Sequence, residues 1–301
     1  MGPLITLWIV WGSTYTGIAL MVKSMPPLIG SGTRFIAASL VLGIMVLLVK
    51  GPRAFTVTWP QVRGAVFMGV TILGVAIGIV SLAVRYVPTG VAALIASVLP
   101  LWIILFRLRA GDRPSRLTLI GVGVGLIGLF LILIPGGTVP ISGASNTQVA
   151  LWSVAIAFGS FCWAFFSWRS TSYQQPKNPL TTAVIQLATA GVFLTLVGAL
   201  IGERWNLDII TQQSWAGWAF LVFASTIAYG AFVWLINNAP MSLVTTHAYV
   251  NPMVAVTLGF LILKEPISLD VVVGLSIVVG GVALVVSGER RTRQLLAEQP
   301  Q

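Results

Sequence analysis

The chain has 301 residues, 57% of them hydrophobic and 8% charged. Soluble domains carry about a quarter charged residues, and a soluble chain this poor in charge would expose large apolar surface to water. A soluble domain is excluded; apolar stretches of about 20 residues, the length a bilayer core requires, imply a polytopic membrane protein. The formal net charge of +10 would suggest nucleic acid in a soluble protein. Here the basic residues lie in short links, as the positive-inside rule expects, so no nucleic-acid partner is inferred. The single cysteine, Cys162, excludes an intramolecular disulfide and a cysteine-based metal site.

Ten helical segments follow in chain order, at roughly 3–22, 28–49, 62–83, 88–108, 117–135, 148–168, 179–201, 214–236, 241–263 and 268–287. The first begins within MGPLITLWIVWGS, which lacks the basic flank of a cleaved signal. Links such as 25–27 and 238–241 are short enough for antiparallel hairpins. The stretch 136–147 is rich in Gly, Ser and Pro and reads as a linker between two halves, 1–135 and 148–287. Residues 288–301 read as a polar, basic tail.

The second half repeats the first 152 positions later, as Pro252 follows Pro100. At that offset Trp163 matches Trp11, Pro179 matches Pro27, and Gly230 matches Gly78. Pro240, Pro266 and Gly280 match Pro88, Pro114 and Gly128. Glycine and proline matches mark backbone geometry. Five helices per repeat would place the second copy upside down in the membrane. With the N-terminus inside, the inner links carry Lys50, Arg53, Arg63, Arg107, Arg109, Arg113, Arg116, Arg169, Lys177, Arg290, Arg291 and Arg293. The outer links carry only Lys23, Arg85, Arg204 and Lys264, a strong bias. The expected architecture is all-α, with ten transmembrane helices as two inverted five-helix repeats and both termini cytoplasmic.

Pro100 and Pro252 fall inside spanning helices and free the carbonyls of Ala96 and Ala248. In lipid such a carbonyl needs a partner or a watery cavity. One reading is a kinked, cavity-lining pair of helices; the other is a packing kink satisfied by a neighbour. The repetition favours the first. His247 and Asn251 share one helix face, whereas Thr245 and Tyr249 lie on nearly the opposite face. Both sets cannot line one narrow site, and one is expected to hydrogen-bond a neighbouring helix. His247 is the only histidine; it serves either as a proton site or as a neutral ring held by a carbonyl.

Arg34 lies about two turns into the second helix, where a charge is a functional candidate by default. It would hold a substrate carboxylate or, the favoured reading, play a structural role. Its repeat mate is Gln186. Trp11 and Trp163 lie too deep for an interfacial belt, unlike Trp59, Trp205, Trp215 and Trp218. They would stack on a substrate side chain or pack ordinarily. Trp102 and Ser97, flanking Pro100, complete the candidate substrate-binding set.

Gly123–Gly128 matches a dinucleotide fingerprint but follows no strand and lies inside a spanning helix, so it is rejected. Gly121, Gly125 and Gly128, Gly274, Gly280 and Gly281, and the pairs Gly74/Gly78 and Gly198/Gly202 read as close-packing faces. No catalytic motif, phosphate loop or intramembrane carboxylate pair is present, so neither an enzyme nor an ATP-driven pump is expected. No cofactor or metal is expected.

WGSTYTGIAL at the start, GTRFIAASL in the second helix, and KEPISLDVVVGLSIVVGGVAL near the end carry a family resemblance. The chain resembles the EamA family of the drug/metabolite transporter superfamily, most nearly its YddG-type amino-acid exporters. The resemblance covers nearly the whole chain. It implies ten helices in inverted repeats, a central cavity, and a bacterial inner-membrane location. It also implies export of amino acids; the residues themselves support only a small, mostly uncharged solute. One departure is GDRPSR, which lacks the glutamate that Glu265 supplies in the second half. The expected function is alternating-access export of neutral, aromatic or bulky amino acids by a monomer. The alternatives are a carrier of another metabolite or drug, and a non-transporting scaffold or receptor.

Overall fold

A chain immersed in lipid must satisfy its backbone polar groups internally, and helices do this within one segment. In a computed structural model the chain is all-helical, with no strand among the described residues 2–111, 114–133, 143–238 and 247–297. The ten main helices are α1 (Gly2–Met21), α2 (Pro27–Lys50), α3 (Trp59–Ala83), α4 (Thr89–Arg109), α5 (Arg116–Leu133), α6 (Asn146–Arg169), α7 (Pro179–Leu200), α8 (Gln212–Asn238), α9 (His247–Leu258) and α10 (Leu269–Ala297). Seven of them are long and apolar enough to cross a bilayer. Pro240 and Thr245, and the centre of the expected 136–147 linker, lie outside the described residues.

Three elements differ from the sequence expectation. The fourth helix is interrupted: Thr89–Ala96 stops, and Leu99–Arg109 starts with Pro100 in its first turn. A proline there loses no helical bond, because the first amides of a helix have no internal partner. Pro252, by contrast, sits inside the continuous α9. The tenth helix continues past Val286 to Ala297, into the expected tail, where Glu, Arg, Gln, Leu and Ala favour helix. Wider π-helical turns occur at Gly69–Val75 in α3 and at Gly259–Leu263, which prolongs α9.

Glycines set the closest approaches. In the α5–α10 pair, a Cβ on Gly281 would lie 2.5 Å from the Gly125 amide nitrogen, and one on Gly121 would lie 2.6 Å from the Val285 nitrogen. In the α2–α7 pair, a Cβ on Gly191 would lie 2.7 Å from the Gly32 carbonyl oxygen, and Ser39 donates its hydroxyl to Val184 O at 2.9 Å. In the α1–α8 pair, a Cβ on Gly217 would lie 2.9 Å from Gly17 O. Two expected packing glycines serve otherwise. Gly280 faces open space, and Gly202, at φ +90°, forms the left-handed stop after α7.

Two helix starts are capped from a distance. The N-cap residues of α2 and α4 are Pro26 and Pro88, and neither offers a side-chain cap. The Glu203 carboxylate accepts from the amides of Leu28 (3.0 Å) and Ile29 (2.8 Å). The Glu265 carboxylate accepts from the Thr89 amide at 2.9 Å and the Thr89 hydroxyl at 2.8 Å. Burial pushes the Glu265 carboxyl up from its ordinary 4.5, although bonds from Thr89 and Gly90 pull it down.

Two outcomes follow from this packing. Gly281→Leu should lower stability by about 1–3 kcal/mol in a thermal melt, whereas Gly280→Ala should leave it unchanged or slightly raised. The Glu265 carboxyl holds its proton more tightly in the folded chain. Its stabilising contribution is therefore complete below pH 4.5 and is lost as pH rises through its elevated folded value. Glu265→Gln should flatten that part of a melting-temperature profile.

Candidate functional site

The interior polar groups lie at three helix contacts, α1 with α9, α2 with α8, and α4 with α6. Trp11 of α1 stacks on His247 of α9, with ring centroids 5.3 Å apart and planes 12° from parallel. One turn later, Asn251 turns its amide nitrogen to His247 O and Trp8 O, each at 3.2 Å, in the orientation those acceptors select. A Cβ on Gly12 would lie 2.7 Å from Val254 Cβ, so α1 and α9 are in close contact here. The His247/Asn251 face of α9 is thus the one bonded to a neighbouring helix. The Tyr249 side chain lies outside the described residues.

Arg34 is 2% exposed. Its Nη1 donates to Ser225 Oγ at 3.2 Å, and its guanidinium lies 4.2 Å from the Phe35 ring centre. The Ser225 bond ties α2 to α8, while Phe35 belongs to α2 itself. Ser225 gave no signal in the sequence, since a single serine in an apolar run is ordinary. Trp218 of α8 adds a second tie, donating its Nε1–H to the Thr33 hydroxyl at 3.1 Å.

The break in α4 is polar. Ser97 closes the end of the first half-helix by donating to Leu94 O at 2.7 Å. Ser160 of α6 donates to Ala96 O at 3.4 Å. The Ala96 carbonyl, at the end of the first half-helix, thus has a hydroxyl of α6 as partner. Trp102, one turn later, packs edge-on against Phe161 at 5.6 Å. Its indole Nε1–H is buried and has no hydrogen-bond partner.

The remaining candidates do not converge with these. Trp163 packs with Leu28, Leu73 and Leu187 between α2, α3 and α7, away from its repeat mate Trp11. Gln186 is half-buried on α7, where its backbone lies against Gly69. A cavity of about 560 Å³ opens between α2, α7 and α8, lined by apolar residues such as Leu42, Met45, Val46 and Val222. None of the candidate residues lines it. Tyr15, which the sequence did not single out, is a core residue beside the Trp11–His247 region. It lies one turn after Trp11 and packs half-buried against the core; the i, i+4 spacing from Trp11 was the available signal. Among the described residues no cluster of His, Cys, Asp or Glu could hold a metal.

Comparisons with known proteins place this arrangement. The model of the EamA-like transporter family matches residues 4–134 and 150–287. An uncharacterized inner membrane transporter of Escherichia coli K12, YedA, is 34% identical over 293 residues, covering 96% of this chain and 90% of its own. The uncharacterized transporter YvbV of Bacillus subtilis is 23% identical over 289 residues, covering 93% and 88%. Protein PecM of Dickeya dadantii is 25% identical over 286 residues, covering 92% and 88%. A solved crystal structure shares the fold at a TM-score of 0.66 and 19% identity, covering 96% of this chain and 97% of that one. With both halves matched and a relative aligned along nearly its whole length, the chain belongs to the EamA-like transporter family and is a multi-pass inner-membrane transporter of small molecules.

Proposed function

We propose that the chain is a secondary transporter that exports neutral, aromatic or bulky amino acids by alternating access. In this reading residues 1–135 and 148–287 are inverted five-helix repeats, both termini are cytoplasmic, and one chain suffices. The family model matches once in each half. The α2–α7 and α5–α10 contacts join helices that the 152-position offset pairs, as it pairs Pro27 with Pro179. Basic residues concentrated on the proposed inner links support the orientation.

The observation that carries the substrate reading is Trp102. A buried N–H without a partner costs about 1–3 kcal/mol. A substrate carboxylate reaching the break in α4 would accept this hydrogen bond. The Arg34 guanidinium already donates to Ser225, whereas the Trp102 indole, at the break in α4, is a buried donor without a hydrogen-bond partner among the described residues. The apolar and aromatic surroundings suit a neutral side chain, and no acidic group among the described candidates would attract a cationic one.

Purified protein in liposomes, loaded with radiolabelled neutral amino acids and assayed with and without a pH gradient, tests the proposal. Flux of leucine or an aromatic amino acid is expected; no flux of any neutral amino acid overturns the substrate reading. Trp102→Phe keeps the ring and removes the donor. It should raise the half-saturation concentration by about tenfold, the weight of a hydrogen bond to a charged group, while the melting temperature stays the same or rises.

A further inference from the structure

Two carboxylates in the second half hold two helix starts in the first half by the same device. After α7, Gly202 takes a left-handed conformation at φ +90°, and the next amide, of Glu203, donates back to Gly198 O at 2.9 Å. After α9, Lys264 takes a left-handed conformation at φ +58°, and the next amide, of Glu265, donates back to Gly259 O at 3.1 Å. Each reversal throws the glutamate sideways onto a proline-led helix start: Leu28 and Ile29 after Pro27, and Thr89 after Pro88. A glycine beneath each carboxylate makes the room. A Cβ on Gly198 would lie 2.9 Å from Glu203 Oε2, and one on Gly259 would strike Glu265 Oε2.

Both contacts lie on one face, because successive helices alternate in direction. A third tie on that face joins the two halves through hydroxyls: Ser24 donates to Ser214 at 2.8 Å and accepts from the Thr211 amide at 2.9 Å. The opposite face is built differently. The repeat mates of Glu203 and Glu265 are Gly51 and Arg113, which carry no carboxylate. The start of α7, the counterpart of α2, is capped by its own neighbour, Asn178 Oδ1 accepting from the Leu180 amide at 3.2 Å. Carboxylate caps that join the halves are thus confined to a single face among the described residues.

We propose that Glu203 and Glu265 form a paired latch that closes this face, and that the face opens when the carboxylates withdraw from the starts of α2 and α4. The inference rests on the alternating-access reading above. A plain helix cap would be supplied locally, as Asn178 does. These caps come from the other half, on the links just after α7 and α9, so a carboxylate can withdraw with its link while the glycine-packed helices stay together. A carboxylate suits a releasable contact because water can solvate it once it leaves the amides, and the bared helix starts also meet water.

The test uses whole protein in liposomes, with Cys162→Ala and Ser97→Cys, labelled from the latch face by a membrane-impermeant thiol reagent. Glu203→Gln and Glu265→Gln should each raise the labelling rate about tenfold, the factor that a charge-assisted hydrogen bond contributes to an equilibrium. Hydrogen exchange at residues 27–34 and 89–96 should rise in parallel, and the Glu→Asp variants should fall between. Unchanged labelling with a lowered melting temperature identifies a static cap and overturns the latch. Neither readout needs a known substrate. Flux is measured in parallel in chains that keep Ser97 and Cys162: raised labelling with no flux there supports the latch and rejects only the substrate reading, and flux with unchanged labelling rejects only the latch.

Discussion

Every irregularity in this fold answers to one constraint: a backbone amide or carbonyl inside a bilayer must have a partner. The interruption of α4 shows how the constraint is met. Pro100 removes a donor, the helix restarts at Leu99, Ser97 turns back to Leu94 O, and Ser160 comes from α6 to Ala96 O. The helix starts at Leu28 and Thr89 meet it with carboxylates from distant links. A polar side chain in the membrane interior is therefore first a partner for backbone, and is available to a solute only where that duty is absent.

This ordering explains why Arg34 and Trp102 differ in significance. Arg34 carries the more conspicuous charge, yet it joins α2 to α8 through Ser225 and lies against the Phe35 ring of its own helix. Trp102 looks like a packing residue, yet its indole donor has no partner. The α1–α9 contact repeats the lesson. Asn251 spends its amide on Trp8 O and His247 O, and the imidazole lies flat on Trp11. The polar residues of α9 thereby set the spacing of two helices.

The carboxylate caps and the glycine contacts divide the assembly into surfaces of different strength. The α5–α10 and α2–α7 pairs approach through glycine at backbone distance, leaving no slack for sliding. The caps at Glu203 and Glu265 are polar, lie at the edge of the membrane, and involve two or three hydrogen bonds each.

Helix number and order were legible from periodicity and proline spacing, because a bilayer demands apolar runs of fixed length and says little else. The family was legible too, since WGSTYTGIAL and KEPISLDVVVG stand where the halves repeat. Gly121, Gly125 and Gly281 were readable as packing residues, whereas Gly202 and Gly280 look identical in sequence and do other work. Hydrogen-bond partners were not legible: Ser160, Ser225, Glu203 and Thr89 meet residues 64 to 191 positions away in the chain. Sequence alone determined that this chain is a series of apolar, membrane-crossing helices, because length and hydropathy are local properties. Only the tertiary structure decided which polar groups are consumed in holding the helices and which, such as the Trp102 indole, are left without a hydrogen-bond partner among the described residues, because that depends on side chains converging from helices far apart in sequence.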